Sequence, residues 1–308
     1  MSYVSEINGL IREKVAATSR LVCFGQNITA GSCLGGFSRG LKAGPDSLVI
    51  NTPNSENTLV GTGFGLMLGG ASGIYFMKQL DFLLLGIDHL VNTYNVVRQR
   101  NLRTSFTIAA VVVDSGFEGP QSCFNALSDI CSMANLPGYA ISSAAEARFV
   151  IGTQLVAPGC RIVAVSQRLF GTDIIDIPAE EFPEAPGIFR YARGTHATVC
   201  AFNFALPQAL ALCREAEGQG KSLSLFGIPA QATTSCEPIF ADLRRTGNLV
   251  VVDDSRSANK ASDRFLAAAL QTCPGIRVTA CQRRFDPAQL RPNPDDYSPD
   301  LGALCAAL

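Results

Sequence analysis

The stretch NTPNSENTLVGTGFGLMLGG, residues 51–70, decides the fold of the first half of this chain. Thr52 precedes a proline, which keeps its backbone extended, and Ser55 is placed to cap a helix that begins at Glu56. A carboxylate in a first turn is favoured by the helix dipole. We therefore predict a helix that opens on an acidic residue and buries one apolar face. That face is formed by Leu59, Val60, Phe64, Met67 and Leu68.

Several glycines interrupt the same helix, and each lowers helix stability by roughly 1 kcal/mol relative to alanine. A sequence that tolerates them indicates that another backbone or a ligand lies very close to the helix. The pattern GTGFG also resembles a dinucleotide-binding fingerprint, but that fingerprint follows a strand directly, whereas these glycines lie well inside the helical pattern. The glycines are Gly61, Gly63, Gly65, Gly69 and Gly70.

Strand and helix patterns alternate along the rest of the chain. Residues 106–113 form an almost continuous apolar run, which is typical of a strand buried on both faces of a parallel sheet. Helical patterns cover residues 82–98 and 144–154. The alternation predicts an α/β fold with two α/β domains, each containing a mostly parallel sheet flanked by helices.

A change in composition divides this alternation in two. Prolines and acidic residues accumulate around Pro178, Pro183 and Pro186, and such stretches are typical of linkers. We therefore predict a first domain over residues 1–180, a linker over 181–195 and a second domain over 196–308.

The composition excludes several classes of function. A net charge of −1 gives no electrostatic basis for binding nucleic acid or an anionic membrane. The most apolar run, residues 82–91, contains Asp88 and is too short to span a bilayer, and no signal peptide is expected. The 11 cysteines are scattered without CxxC spacing, so we expect reduced thiols, no zinc site and a cytoplasmic protein.

These motifs resemble those of thiamine diphosphate enzymes of the transketolase type, and in particular the β chain of the decarboxylating component of 2-oxo-acid dehydrogenases. The resemblance rests on TPNSE at 52–56, on the glycine-rich helix and on DFLLLGIDHLVN at 81–92. It covers almost the whole chain. Further matching segments are SRGL at 38–41, LPG at 136–138, NLVVVDD at 248–254 and YSPDL at 297–301.

The resemblance implies roles for four residues. In this family the glutamate of the TPxSE motif bonds a ring nitrogen of the cofactor's pyrimidine, which makes Glu56 the candidate catalytic and cofactor-binding residue. This chemistry needs a carboxylic acid in a dry, apolar setting, where it can share a proton. Asn54, Phe82 and Gln26 are the other candidate cofactor contacts, Phe82 through its ring and Gln26 where β chains carry a glutamate. Without the resemblance, Glu56 only starts a helix and Phe82 is a core residue.

The loop GFEGPQSCFN at 116–125 departs from the family pattern. Dehydrogenase β chains place a histidine here and transketolases have GPTH, but this loop contains no histidine. Gln121 and Ser122 are candidate substrate contacts, and a surface turn is the alternative. The missing imidazole leaves a transketolase or carboligase transfer as open as a dehydrogenase reaction. His89 and His196 are expected to be structural.

The sequence contains no GDG motif, through which the family holds a divalent metal and the diphosphate. We therefore expect no metal site in this chain. The resemblance implies an α-type partner that holds the diphosphate and Mg²⁺, in a heterotetramer that is active only when assembled. Its substrate would be a 2-oxo acid or a ketose, from which an acyl or two-carbon hydroxyalkyl unit is transferred. The alternatives are a non-catalytic structural subunit and a nucleotide-dependent oxidoreductase.

Overall fold

The computed structural model describes residues 1–117, 125–232, 235–283, 293–294, 297–306 and 308. Gln121 and Ser122 lie outside the described residues, so their assignment as substrate contacts stays a prediction. Within the described ranges, no helix is both long enough and apolar enough to cross a membrane.

Strands and helices alternate along the described chain. The strands are β1 (Leu21–Gly25), β2 (Leu48–Asn51), β3 (Ser72–Met77), β4 (Ser105–Val112), β5 (Gly116–Phe117), β6 (Gly138–Ile141), β7 (Gly159–Ser166), β8 (Glu180–Phe182), β9 (Ala185–Ala192), β10 (Ala197–Phe202), β11 (Leu223–Ile228), β12 (Asn248–Asp253), β13 (Arg277–Gln282) and β14 (Asn293–Pro294). The α-helices are α1 (Tyr3–Ala16), α2 (Glu56–Leu68), α3 (Tyr94–Val97), α4 (Leu127–Ala134), α5 (Ala144–Phe149), α6 (Leu206–Gly218), α7 (Glu237–Thr246), α8 (Ala261–Thr272) and α9 (Leu301–Ala306).

Two six-stranded sheets organise the molecule, as the α/β prediction requires. The first has the order β2-β1-β3-β4-β7-β6, and all its neighbouring strands are parallel. The second has the order β13-β12-β10-β11-β9-β8, in which only β9 and β8 run antiparallel to their neighbours. In addition, β14 pairs with β5.

Helices cover both faces of the second sheet. Apolar residues of α7 and α8 pack on one face, and those of α6 and α9 pack on the other. Because α6 follows β10 and α7 follows β11, the chain leaves these two neighbouring strands toward opposite faces. Such a reversal opens a crevice at the carboxyl ends of the two strands.

The segment predicted as a linker, residues 181–195, carries regular structure instead. It contains most of the hairpin β8–β9, which joins the second sheet by pairing with β11. Pro183 lies in the hairpin turn, and Ile188 and Phe189 are buried. Pro183 and Glu184 therefore lie in a turn, and Glu180 and Glu181 lie on the edge strand β8, where such residues are tolerated. The boundaries of the two domains stay a prediction.

The segment predicted as one helix, 82–98, is helical but irregular. It contains a 3₁₀ stretch at Leu80–Gly86, a π turn at His89–Thr93, α3, and a second 3₁₀ turn at Arg98–Arg100. The first part lies against α2, where a Cβ on Gly86 would approach the Val60 side chain to 2.7 Å. This close contact between helical segments was not visible in the periodicity of the sequence.

The glycines of α2 differ in what surrounds them. A Cβ on Gly63 would lie 2.2 Å from the ring of Phe106, and one on Gly61 would lie 3.0 Å from the His89 ring. Beside Gly65 there is no described atom within 4 Å. The close neighbours at Gly61 and Gly63 are therefore side chains of the π turn and of β4, and not the backbone or ligand that the sequence led us to expect.

Candidate functional site

Glu56 lies at the start of α2, close to the carboxyl edge of the first sheet. The loop before it is tied to that edge, because the backbone N–H of Thr52 donates to the carbonyl of Gly25, the last residue of β1, at 3.0 Å. Ser55 occupies the N-cap position, but its hydroxyl donates to Thr58 Oγ1 at 2.9 Å and makes no bond to the helix backbone. The prediction that the Ser55 side chain caps this helix is therefore wrong.

Glu56 is a largely buried residue whose carboxylate has no protein partner in the described part of the chain. The residue is 6 % exposed, and its side chain forms no hydrogen bond or ion pair with a described residue. Tyr75 is buried on β3, and its ring stacks on that of Phe24 with 5.4 Å between the ring centroids. Tyr75 also lies close enough to Glu56 for the two side chains to interact electrostatically. Burial raises the pKa of Tyr75, and the negative charge of Glu56 raises it further. A carboxylate that bonds no described group can accept a hydrogen bond from a ligand.

The other predicted cofactor contacts lie along the same sheet edge. Gln26 directly follows β1, Asn54 follows β2, and Phe82 follows β3 within the 3₁₀ stretch. Since β2, β1 and β3 are neighbouring parallel strands, their carboxyl ends share one edge. Asn54 is exposed, whereas Gln26 and Phe82 are half-buried. The three side chains form no hydrogen bond or ring contact with described residues.

A cavity of about 320 Å³ opens at the carboxyl ends of β1, β3, β4 and β7. Open α/β sheets bind ligands at this edge. The cavity offers both polar and apolar side chains, but Glu56, Phe82, Asn54 and Gln26 do not line it in the described structure. Its walls include Asn27, Lys78, Gln79, Val111, Gln167 and Phe170.

Both histidines make structural contacts. His89 Nδ1 lies 2.9 Å from Thr93 Oγ1, and the other side of its ring packs beside Gly61 of α2. His196 is exposed at the start of the second sheet, and its Nδ1 accepts the Ser222 N–H at 3.1 Å. These contacts agree with the structural roles expected from the sequence.

Sequence reasoning missed a buried charged cluster between the two sheets. Arg168 follows β7, and its backbone N–H donates to Asp114 Oδ1 at 3.0 Å, while its guanidinium donates to Asp254 Oδ2. Burial raises the pKa of Asp254 to about 6, and the neighbouring guanidinium opposes this shift. Burial likewise raises the pKa of Asp114. An acidic residue directly after a buried strand was the signal that could have marked Asp254 as a candidate, although not its pairing with Arg168.

A second buried acid joins α5 to β9. Glu146 Oε2 accepts the backbone N–H of Ser142 at 2.6 Å, and Glu146 Oε1 accepts the hydroxyl of Tyr191 at 3.1 Å. Burial raises the pKa of Glu146 to about 7. The sequence SSAAE carries the spacing of a capping box, which the structure forms between Ser143 and Glu146.

In the described ranges, no cluster of three or more His, Cys, Asp or Glu side chains is arranged to hold a metal ion. The fingerprint GTGFG lies in the interior of α2, far from the end of β2, so the structure does not give it the strand–turn–helix context of a dinucleotide site.

Comparison with known proteins supports the resemblance carried by the motifs. No known family profile matches the chain. The chain is 24% identical to the pyruvate dehydrogenase E1 component subunit beta of Leifsonia xyli over 325 aligned residues. That alignment covers 98% of this chain and 91% of the other protein. The chain is also 21% identical over 282 residues to the 2-oxoisovalerate dehydrogenase subunit beta 2, mitochondrial, of Arabidopsis thaliana, covering 89% and 78% respectively.

Among solved structures, a split gene transketolase described as an inactive beta4 tetramer has a similar fold. The two superpose with a TM-score of 0.71 at 15% identity, over 98% of this chain and 95% of that one.

Proposed function

We propose that this chain, a relative of the β chains of 2-oxo-acid dehydrogenases with the fold of a transketolase, is the pyrimidine-binding chain of a two-chain thiamine diphosphate enzyme. An α-type partner holds the diphosphate and Mg²⁺, and the active form is a heterotetramer. The enzyme takes a 2-oxo acid or a ketose and transfers its acyl or two-carbon hydroxyalkyl unit, as a transferase, a carboligase or the decarboxylating component of an oxidoreductase complex.

The carboxylate of Glu56, which belongs to a largely buried residue and bonds no described group, is the observation that supports this proposal most strongly. Polar groups of buried residues are usually hydrogen-bonded, so a carboxylate without such a bond is available to a ligand. A ring nitrogen of a bound pyrimidine supplies a partner for that bond. The residues present therefore fit the cofactor that the resemblance implies.

Each candidate residue has a distinct task in this proposal. Glu56 shares a proton between its carboxylate and the ring nitrogen, and the buried side chain of Tyr75 lies near it. Low local polarity strengthens that hydrogen bond. Phe82 offers an apolar ring face, while Gln26 and Asn54 offer amides. When bound, thiamine diphosphate would supply a thiazolium carbon that can act as a nucleophile toward a carbonyl carbon.

The test is proton exchange at the thiazolium carbon, measured by NMR in the assembled enzyme with deuterated solvent. A positioned proton-transfer group typically contributes roughly 10²–10⁴-fold to a rate, so Glu56→Gln should slow the exchange by that factor. Glutamine keeps the size of the side chain and cannot pass on the proton. Glu6 is also an acid in the first turn of a helix, α1, so Glu6→Gln is the matched control. In that variant the thiazolium proton should exchange at the wild-type rate.

The stability of the variant separates catalysis from folding. Glu56→Gln should leave the free energy of unfolding of the chain unchanged or raise it, because the Glu56 carboxylate forms no hydrogen bond or ion pair with a described residue that glutamine would lose. Exchange at the wild-type rate in correctly assembled Glu56→Gln enzyme would reduce Glu56 to a residue that begins a helix, and the proposed role would fail.

A further inference from the structure

Two adjoining cavities lie at the carboxyl end of the second sheet, away from Glu56. The larger is about 360 Å³ and the smaller about 170 Å³. Gln231, Ala232, Ala261 and Arg264 line both of them. A molecule that enters one cavity therefore contacts walls of the other.

The larger cavity is mainly apolar. Phe202 ends β10 and Ile228 ends β11, the two neighbouring strands from which the chain departs toward opposite faces. The cavity thus occupies the crevice in which open α/β sheets bind ligands. Phe240 of α7 and Phe265 of α8 close it, with their ring centroids 5.9 Å apart. Its walls suit an aromatic or branched apolar group.

The smaller cavity is polar and carries positive charge. Arg264 donates to Ser132 Oγ at 2.7 Å, and Lys260 Nζ donates to the carbonyl of Ser257 at 2.9 Å. Neither cation forms an ion pair with a described residue, and no described carboxylate lines either cavity. The cavity therefore complements an anion.

Two carboxylates that adjoin lining residues in the sequence, those of Asp129 and Asp263, accept hydrogen bonds from N–H groups. Asp129 accepts the backbone N–H of Ala258 at 2.8 Å and that of Asn259 at 2.7 Å. Asp263 accepts the backbone N–H of Lys260 at 3.1 Å and the side-chain amide of Gln282 at 2.7 Å. These contacts hold both carboxylates in place beside the polar cavity without neutralising Lys260 or Arg264 through an ion pair.

The wall shared by the two cavities is fixed from both sheets. The backbone N–H of Gln231 donates to the carbonyl of Gly138 at 2.9 Å, and its side-chain amide donates to Asn203 Oδ1 at 2.9 Å. Its Oε1 accepts the hydroxyl of Ser128. A preformed wall of this kind lowers the entropy lost when a ligand binds.

We propose that the two cavities form one binding site for a small organic acid with an aromatic or branched apolar body. The body occupies the cavity between Phe202, Ile228 and Phe265, and the carboxylate faces Arg264 and Lys260. This site is separate from the cofactor edge of the first sheet, and its existence does not depend on the proposed function.

Calorimetric titration of the full-length chain with phenylacetate, benzyl alcohol and acetate tests the proposal. Phenylacetate should bind more tightly than both others, because only phenylacetate combines the apolar body with the carboxylate. Arg264→Met should weaken the binding of phenylacetate by about threefold to tenfold, since a partly exposed charge contact contributes modestly to affinity. The affinity for benzyl alcohol should stay unchanged. Arg214→Met, at an exposed arginine on α6, is the control and should bind all three probes like the wild type.

A second pair of variants tests the apolar cavity. Ala268→Leu places a larger side chain into the cavity wall and should weaken the binding of both phenylacetate and benzyl alcohol. Ala267 is exposed on the same helix, so Ala267→Leu should weaken the binding of neither probe. Unfolding midpoints identify variants that fold normally. Equal affinity for phenylacetate and benzyl alcohol, or wild-type binding by normally folded Ala268→Leu protein, would overturn the proposal.

Discussion

Gly63 and Gly65 stand two residues apart in α2, and the structure predicts opposite effects for the same substitution. Gly63→Ala should lower the free energy of unfolding by roughly 1–3 kcal/mol, because its Cβ would overlap the fully buried ring of Phe106. Gly65→Ala should raise it by roughly 0.5–1 kcal/mol, since alanine favours the helix and meets no described atom there. Urea denaturation measures both, and shifts in the same direction would refute the close approach.

Glu56 shows how far the sequence predicts a single residue. The pattern of TPNSE places it correctly at the start of a helix, and the apolar neighbours correctly predict a buried setting. The lack of a hydrogen-bond partner was not predictable, because it depends on every side chain that folding brings near. For the same reason the sequence did not show that the Ser55 hydroxyl donates to Thr58 Oγ1 and makes no bond to the helix backbone.

At the scale of elements, the contact between α5 and β9 should make stability depend on pH. Burial raises the pKa of Glu146 from 4.5 to about 7, so between these values the folded state binds more protons than the unfolded state. Stability due to this group is therefore present below about pH 4.5 and is lost as the pH rises to about 7. The loss should be about 3 kcal/mol, at about 1.4 kcal/mol for each pKa unit.

Urea unfolding at a series of pH values, for the wild type and for Glu146→Gln, isolates this effect. Glutamine still accepts the backbone N–H of Ser142 and can donate to the hydroxyl of Tyr191, so the contact should survive. The difference in unfolding free energy between variant and wild type should shift in favour of the variant by about 3 kcal/mol from low to high pH. A difference that stays constant with pH would show that folding does not shift the pKa of Glu146.

Regular elements were predicted well from the sequence, and irregular ones were not. β4 (Ser105–Val112) agrees with the strand predicted at residues 106–113, because an almost continuous apolar run suits a strand buried on both faces. The hairpin β8–β9 has the prolines and acids of a linker, although buried Ile188 and Phe189 attach it to the sheet. Periodicity also could not show that the helical segment after β3 would change its winding against α2.

At the scale of the whole molecule, the proposed division of labour predicts that the chain alone binds thiamine diphosphate poorly. The sequence lacks the GDG motif, so the groups that hold the diphosphate and its metal come from the partner. Calorimetry of the isolated chain with the cofactor and magnesium should give little heat, and addition of the partner should restore binding. Micromolar affinity of the isolated chain would contradict the two-chain arrangement.

The order of strands within each sheet lay beyond sequence reasoning. Alternating strands and helices predict parallel sheets, but they do not show that β6 forms the edge while β7, which follows it, lies inside next to β4. The contacts of Arg168 with Asp114 and Asp254 were hidden for a similar reason, since Asp254 is 86 residues away along the chain. Long-range pairing is decided by packing and leaves little trace in a local pattern.

Each large sheet draws its strands from one uninterrupted part of the chain, the first from residues 21–166 and the second from residues 180–282. A nascent chain leaving the ribosome can thus complete the first sheet before the second has been translated. The side chains of Glu146 and Arg168 would be hydrated until Tyr191 and Asp254 have been translated and pack against them. These two contacts therefore form later than the first sheet, in the order in which their partners are translated.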